Sequence, residues 1–379
     1  MSLLHPRIPF LDTLRGIGAA GVAIWHYQHF FVLSGSCADS IQEGICNGAF
    51  PPLYPILQYF YENGFRMVDL FFMISGLVMF ARYQKGVSAG MVTFKQFLIA
   101  RVARLWPLAI ATLSIAALLT WSHRVVYGSF LFYENNDVTT FVLNGLFLHA
   151  GFFRGVDLSF NGPSWTIAIE FWMYLSLFLV LRFTRRPLWA VCALSLGCVV
   201  LQANHDHAQL SLWYRGLSGF GIGMAIALVR QQLLSEGRSC QKAVRALTSV
   251  AVFGTVIVAT QLYFPQFDVV TSFSDETRMY LWHLLVIFLP IVLSAALSTG
   301  QVRTMSSVGQ WLGSRSFGIY MWHVPVQMAL VLMIRLLGVN DPTFSDWFLA
   351  TYVVVVLIAA DVGFRLIERP LRSRILRTT

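Results

Sequence analysis

An arginine and a histidine stand eleven positions apart in the apolar stretch PFLDTLRGIGAAGVAIWHYQHF: Arg15 and His26. Three helical turns take about 10.8 residues, so both side chains project from one helix face, about 16 Å apart along the axis. A guanidinium stays charged and matches phosphate oxygens in pairs. An imidazole can take or give a proton near neutral pH. Asp12 lies one turn before Arg15 and can pair with it. Gly16, Gly18 and Gly21 allow a backbone or a ligand to come close. A packing histidine is the plainer reading of His26, but the register with Arg15 favours chemistry. His29 sits near the end of the stretch and reads as solvated.

Further polar groups recur inside apolar runs, where an unpaired charge costs several kcal/mol. FLIARVARLWP carries Arg101 and Arg104 at i and i+3, on one helix face. Such a pair is either an anchor at the membrane edge or a clamp for a phosphorylated ligand. NGPSWTIAIEFWMYL opens with an Asn-Gly-Pro turn, then Trp165, then Glu170 about two turns in. Glu170 must pair, be protonated or do chemistry there, and orienting a histidine is one such task. His323 lies in SRSFGIYMWHVPV with Pro325 behind it, a candidate kink. RMVDLFFMISGLV buries Asp69 and a Ser75-Gly76 pair, for which packing is the better reading. GLSGFGIG, with Gly216, Gly219, Gly221 and Gly223, has the small-residue spacing of packed helices and follows no strand, so it is no nucleotide loop. The chain has no CxxC or HExxH, and His205 and His207 read as a solvated loop; no metal is expected.

The elements that must hold these groups follow from composition. Of 379 residues, 56% are hydrophobic and only 12% charged, against about 25% charged in soluble domains. A soluble enzyme, a disordered chain and a secreted disulfide scaffold are excluded. The expected fold class is all-α: a polytopic membrane bundle of about ten helices in one domain, 1–379. The spans read as 10–34, 57–81, 98–121, 164–182, 187–203, 211–229, 246–264, 279–299, 316–337 and 346–366. The apolar stretch 141–153 is too short to cross and reads as re-entrant or interfacial. No cleavable leader is expected, because Asp12, Arg15 and His26 interrupt the first apolar run. With the N-terminus inside, twenty Lys and Arg residues fall on the cytoplasmic side and six outside, which sets both termini in the cytoplasm. The net charge of +9 is thus a topology signal, and no nucleic-acid partner is expected. Cys37 and Cys46 share one outer loop and can pair; Cys192, Cys198 and Cys240 read as free thiols.

Six segments, in order, resemble the acyltransferase 3 family of integral membrane acyltransferases: LDTLRGIGAAGVAIWH, MVDLFFMISGLVMF, RVARLWP, PSWTIAIEFWMY, SRSFGIYMWHVPV and IERPLR. The resemblance implies transfer of an acyl group, usually acetyl, from cytosolic acetyl-CoA to a sugar hydroxyl outside a bacterial cytoplasmic membrane. It implies functional roles for the first-span arginine and histidine (Arg15, His26), the RxxR pair (Arg101, Arg104), the fourth-span acid (Glu170) and the ninth-span histidine (His323). The family motif often has a second acid where Phe171 stands here. On this reading Arg15, Arg101 and Arg104 hold the donor's phosphates. His26 is the general base or a transient acyl carrier, and Glu170 orients it or stabilises its charged form. His323, Trp165 and Asp69 line the acceptor site. The partners are the bilayer, acyl-CoA and a glycan, with room for a homo-oligomer. The rival is a glycan or small-molecule transporter using the same charges as substrate ligands.

Overall fold

The structure is a computed structural model that describes residues 8–33, 50–149, 158–184, 208–235, 280, 282–297 and 307–377, with isolated positions between 242 and 253. The expected span 187–203, nearly all of 246–264, the five cysteines, His205 and His207 lie outside the described residues.

What is described is helical. In chain order the helices are α1 Pro9–His26, α2 His29–Leu33, α3 Tyr54–Asn63, α4 Met67–Ser88, α5 Phe94–Tyr127, α6 Val138–Gly145, α7 Trp165–Phe183, α8 Ala208–Ser235, α9 Leu289–Leu297, α10 Ser307–Leu337, α11 Asp346–Gly363 and α12 Arg369–Arg377. Wider π-helical turns precede α9 and join α11 to α12. Six stretches are long and apolar enough to cross a membrane: 54–88, 94–127, 162–183, 212–233, 307–337 and 346–377. The chain is a multi-pass membrane protein. The 34 residues of α5 run about 50 Å, well beyond the hydrocarbon thickness of about 30 Å. Both α5 and α10 continue through an internal proline, Pro107 and Pro325. The stretch read as re-entrant begins inside α6, a helix eight residues long and capped by Asp137, whose side chain accepts the Thr140 amide at 2.7 Å.

The first apolar run departs from its expected form. Instead of one span over 10–34, α1 ends at His26 and a two-residue break precedes α2. Polar side chains hold the break. Gln28 donates to the Tyr61 carbonyl at 2.7 Å, and Gln327 donates to the His26 carbonyl at 2.6 Å. These side-chain amides occupy carbonyls at the point where helical pairing stops.

The chain divides into two compact units. The first comprises 1–17, 66–97 and 172–314. Its core is α4 packed on α8, and glycines set the spacing. A Cβ on Gly76 would strike the Phe220 carbonyl, and one on Gly223 would strike the Met73 carbonyl. A Cβ on Gly219 would sit 3.1 Å from the Asp69 carbonyl and from Phe72. The small-residue spacing in both segments is therefore used for close helix contact. Polar pairs cross the same unit. Asp69, 1% exposed, accepts two bonds from Arg215 at 3.0 Å each. Ser75 meets the Tyr174 hydroxyl at 2.7 Å.

The second unit comprises 18–65, 98–171 and 315–379. Here a Cβ on Gly64 would strike the Gly21 carbonyl, and Gly318 lies close against Ala360. The Tyr352 hydroxyl donates to the Ala23 carbonyl at 3.2 Å, and that of Tyr27 to the Thr343 carbonyl at 2.7 Å. These bonds anchor the end of α1 from several sides.

The Asp69–Arg215 pair makes a testable statement about stability. Asp69→Ala leaves the half-buried Arg215 guanidinium without this carboxylate and is expected to cost about 3 kcal/mol, the lower end for a broken buried pair. Thermal unfolding in detergent should show this loss, and the double variant Asp69→Leu, Arg215→Met should recover most of it. An unchanged melting temperature for Asp69→Ala would show that the pair does not hold α4 to α8.

Candidate active site

The last turn of α1 presents His26 in one defined form. Its Nδ1 lies 3.0 Å from the Val22 carbonyl, one turn back on the same helix. A carbonyl only accepts, so Nδ1 carries the proton and Nε2 carries the lone pair. Nε2 has no hydrogen-bond partner among the described residues, and the side chain is half-buried. The arrangement is that of a neutral imidazole with its basic nitrogen open.

Two more imidazoles flank it. The His323 ring centre is 4.7 Å away and that of His29 is 5.0 Å away. Trp25 packs edge-on at 4.5 Å. His29 is thus part of a cluster; its expected exposure to solvent is corrected by the α1–α2 break, which turns it back onto His26. His323 is fully buried, and neither of its nitrogens reaches hydrogen-bonding geometry with any described residue. Among the described residues no group of three or more His, Cys, Asp or Glu is arranged to hold a metal ion.

One helix supports the cluster. Gln327, one turn beyond His323 on α10, is buried and holds the His26 carbonyl. Two residues before His323, the Met321 carbonyl accepts from Asn161 at 2.9 Å. The Tyr320 hydroxyl donates to the Pro163 carbonyl at 3.0 Å and accepts from Thr166 at 3.0 Å. The Asn-Gly-Pro turn is thereby bound to the face of α10 that carries His323. Behind it, His149 meets the Ser164 hydroxyl at 3.0 Å, and Ser164 reaches Asn144 at 3.3 Å.

The remaining expected residues are distributed as follows. Trp165 and Glu170 are on α7; Trp165 is buried and Glu170 half-buried. His26 Nδ1 faces the Val22 carbonyl and not Glu170. Arg15 is half-buried on α1 and belongs to the first unit. Asp69 is also in the first unit, occupied by Arg215. Arg101 and Arg104 lie on one face of α5. Arg104 is not a bare clamp. It pairs with the buried Glu368 and lies 5.2 Å over the Phe317 ring. Arg315 and Arg365 both pair with Asp361, at 2.9 and 2.7 Å. The acid that fixes Arg104 belongs to IERPLR, a segment to which sequence reading assigned no role.

A family model described as an acyltransferase domain matches residues 8–363. The chain belongs to the acyltransferase 3 family. Among curated relatives, it is 28% identical to a putative peptidoglycan O-acetyltransferase, YrhL, of Bacillus subtilis, over 98% of this chain and 56% of that protein. It is 25% identical to the peptidoglycan O-acetyltransferase OatA of Listeria monocytogenes, over 82% of this chain and 52% of that protein. A putative acetyltransferase of Acidianus two-tailed virus, ORF330, is 26% identical over 87% of both chains. The chain spans about half the length of the two bacterial relatives. No solved structure matches it. Within the family match, the arginine–histidine pair of α1, the RxxR pair and His323 all fall inside the matched residues.

Sequence reading missed Gln327, although the signal was present. It is an amide in the run VPVQMALV, one turn from His323 on the same helix face. Gln327→Leu strips the His26 carbonyl of its donor, and a buried carbonyl left unpaired costs about 1–3 kcal/mol. Thermal unfolding of this acyltransferase in detergent should fall accordingly. No change would mean that the carbonyl finds another donor.

Proposed function

We propose that this chain is a membrane O-acetyltransferase that moves an acetyl group from acetyl-CoA to a hydroxyl of an extracytoplasmic glycan. The observation that supports it best is the His26 imidazole, fixed through Nδ1 and open at Nε2, beside His323. In this reading Nε2 takes the proton of the acceptor hydroxyl as its oxygen attacks the thioester carbonyl. The new C–O bond forms, the C–S bond breaks, and the imidazolium returns the proton to the departing thiolate. Burial of the neighbouring imidazoles keeps water away from the thioester.

The donor's phosphates are assigned to Arg101 and Arg104. Glu368 and the Phe317 ring support the reading for Arg104, because they fix its guanidinium before the ligand arrives. Glu170 keeps a longer-range role, favouring the imidazolium by its charge. The bacterial relatives suggest peptidoglycan among the candidate glycans; exopolysaccharide and O-antigen fit the same chemistry. The assigned location is a bacterial cytoplasmic membrane with both termini on the cytoplasmic side, consistent with the excess of Lys and Arg there.

Acetyl-CoA turnover by the full chain in nanodiscs tests the reading, since a transporter would release no CoA. His26→Ala should abolish acetyl transfer while acetyl-CoA still binds. Transfer at the wild-type rate would remove His26 from the mechanism. Arg101→Ala and Arg104→Ala should each weaken acetyl-CoA binding about 10–100-fold, the loss of one charge-assisted contact of roughly 1.5–3 kcal/mol. Unchanged donor affinity would return both to the role of membrane-edge anchors.

A further inference from the structure

The loop between α5 and α6 carries two aromatic residues that the chemistry above does not use. Phe132 has a φ of 56°, the left-handed region that a bulky residue seldom enters. Such backbone is retained where surrounding structure demands it, often at a ligand site. The Phe132 ring lies 5.0 Å from that of His29, which is itself 5.0 Å from His26. Tyr133 follows, 6.5 Å from His29 and edge-on to it. Both rings are half-buried, leaving part of each accessible.

Unpaired polar atoms surround these rings. The Tyr133 side chain lies on Gly162: a Cβ there would run into its ring and hydroxyl. That hydroxyl bonds to no described residue, and burial pushes it up, so it stays protonated as a donor. The adjacent Asn161 is buried. Its Nδ2 is committed to the Met321 carbonyl, which fixes the orientation of the amide and leaves Oδ1 without a donor. Two residues past Met321 is His323, whose nitrogens are also unpaired. Buried polar groups in native proteins are almost always satisfied, so a run of exceptions calls for an explanation. Of these, His323 has its ring 4.7 Å from that of His26, and Asn161 is the sequence neighbour of Gly162, on which Tyr133 lies.

We propose that Phe132, Tyr133 and Asn161 form the subsite that receives the acceptor, and that it selects a pyranose-like ring over a flexible alcohol. A sugar ring has an apolar C–H face and an edge of hydroxyls, each of which donates and accepts. The face lies on the Phe132 and Tyr133 rings. The edge meets the Tyr133 hydroxyl and Asn161 Oδ1, and the hydroxyl to be acylated points at His26 Nε2. Gly162 is required because only a residue without Cβ leaves room for Tyr133. The inference rests on the reading of His26 as the base of an acetyl transfer.

The test uses the full chain in nanodiscs with labelled acetyl-CoA and two acceptors, methyl β-glucoside and hexanediol. The wild type should favour the glucoside. Phe132→Gly and Tyr133→Ala should each lower the glucoside-to-hexanediol ratio of kcat/KM about tenfold, the size expected for losing one aromatic contact. Tyr133→Phe, which removes the hydroxyl alone, should lower the ratio less. Phe132→Gly also relieves the backbone, so its melting temperature should equal or exceed that of the wild type. That readout separates a lost subsite from a lost fold. An unchanged ratio in Phe132→Gly and Tyr133→Ala overturns the subsite. If the wild type acetylates neither acceptor, the acetyl-transfer reading fails for these acceptors, and saturation-transfer NMR with methyl β-glucoside judges the subsite by itself. A signal with the wild type that is lost in Tyr133→Ala supports it. A signal that persists, or none with the wild type, overturns it.

Discussion

Two hydrogen bonds at the end of α1 determine what His26 can do. One joins its Nδ1 to the Val22 carbonyl, and the other joins its own carbonyl to Gln327. The first selects the tautomer and the second fixes the residue in space. Without the first, either nitrogen could carry the proton, and the basic lone pair would have no set direction. Without the second, the helix would end on an unpaired carbonyl in an apolar setting and would fray. The break after His26 follows from the same pair of bonds, and with it the placement of His29 against the cluster.

The ionic contacts obey the same rule that a polar group away from water must have a partner. Asp69 takes Arg215, Asp361 takes two arginines, and Arg104 takes Glu368. Arg215 donates to both oxygens of Asp69. The imidazole cluster is the opposite case. Its nitrogens have few protein partners, which is tolerable only because neutral imidazoles cost far less to bury than ions.

The helical membrane architecture was legible because composition and run length carry it directly. So were the packing glycines of α4 and α8, since close approach admits nothing larger. The meeting of His26 with His323 could not be read, because the two lie 297 positions apart in sequence and only the approach of α10 to α1 joins them. Glu170 shows what side-chain spacing leaves out. A carboxylate at suitable depth was matched to a histidine by analogy with catalytic triads, but the Val22 carbonyl, one turn away on the same helix, had already claimed Nδ1. Backbone acceptors leave no trace in side-chain spacing. The same blindness hid the links from Asn161 and Gln327 to the Met321 and His26 carbonyls.

Arg104 shows how a paired arginine can still serve a ligand. A guanidinium presents five N–H groups, and a single carboxylate engages at most two of them. Glu368 and the Phe317 face hold the plane of the group. Ordering a long arginine side chain costs rotamer entropy, and here that ordering is done before any ligand binds. Pairing also lowers the local charge, so the site discriminates by geometry more than by net attraction. A diphosphate, which offers oxygens in pairs, gains from a fixed fork in a way that a monovalent anion does not. If Arg104 holds the donor, as proposed, the buried carboxylate serves that task by fixing the arginine.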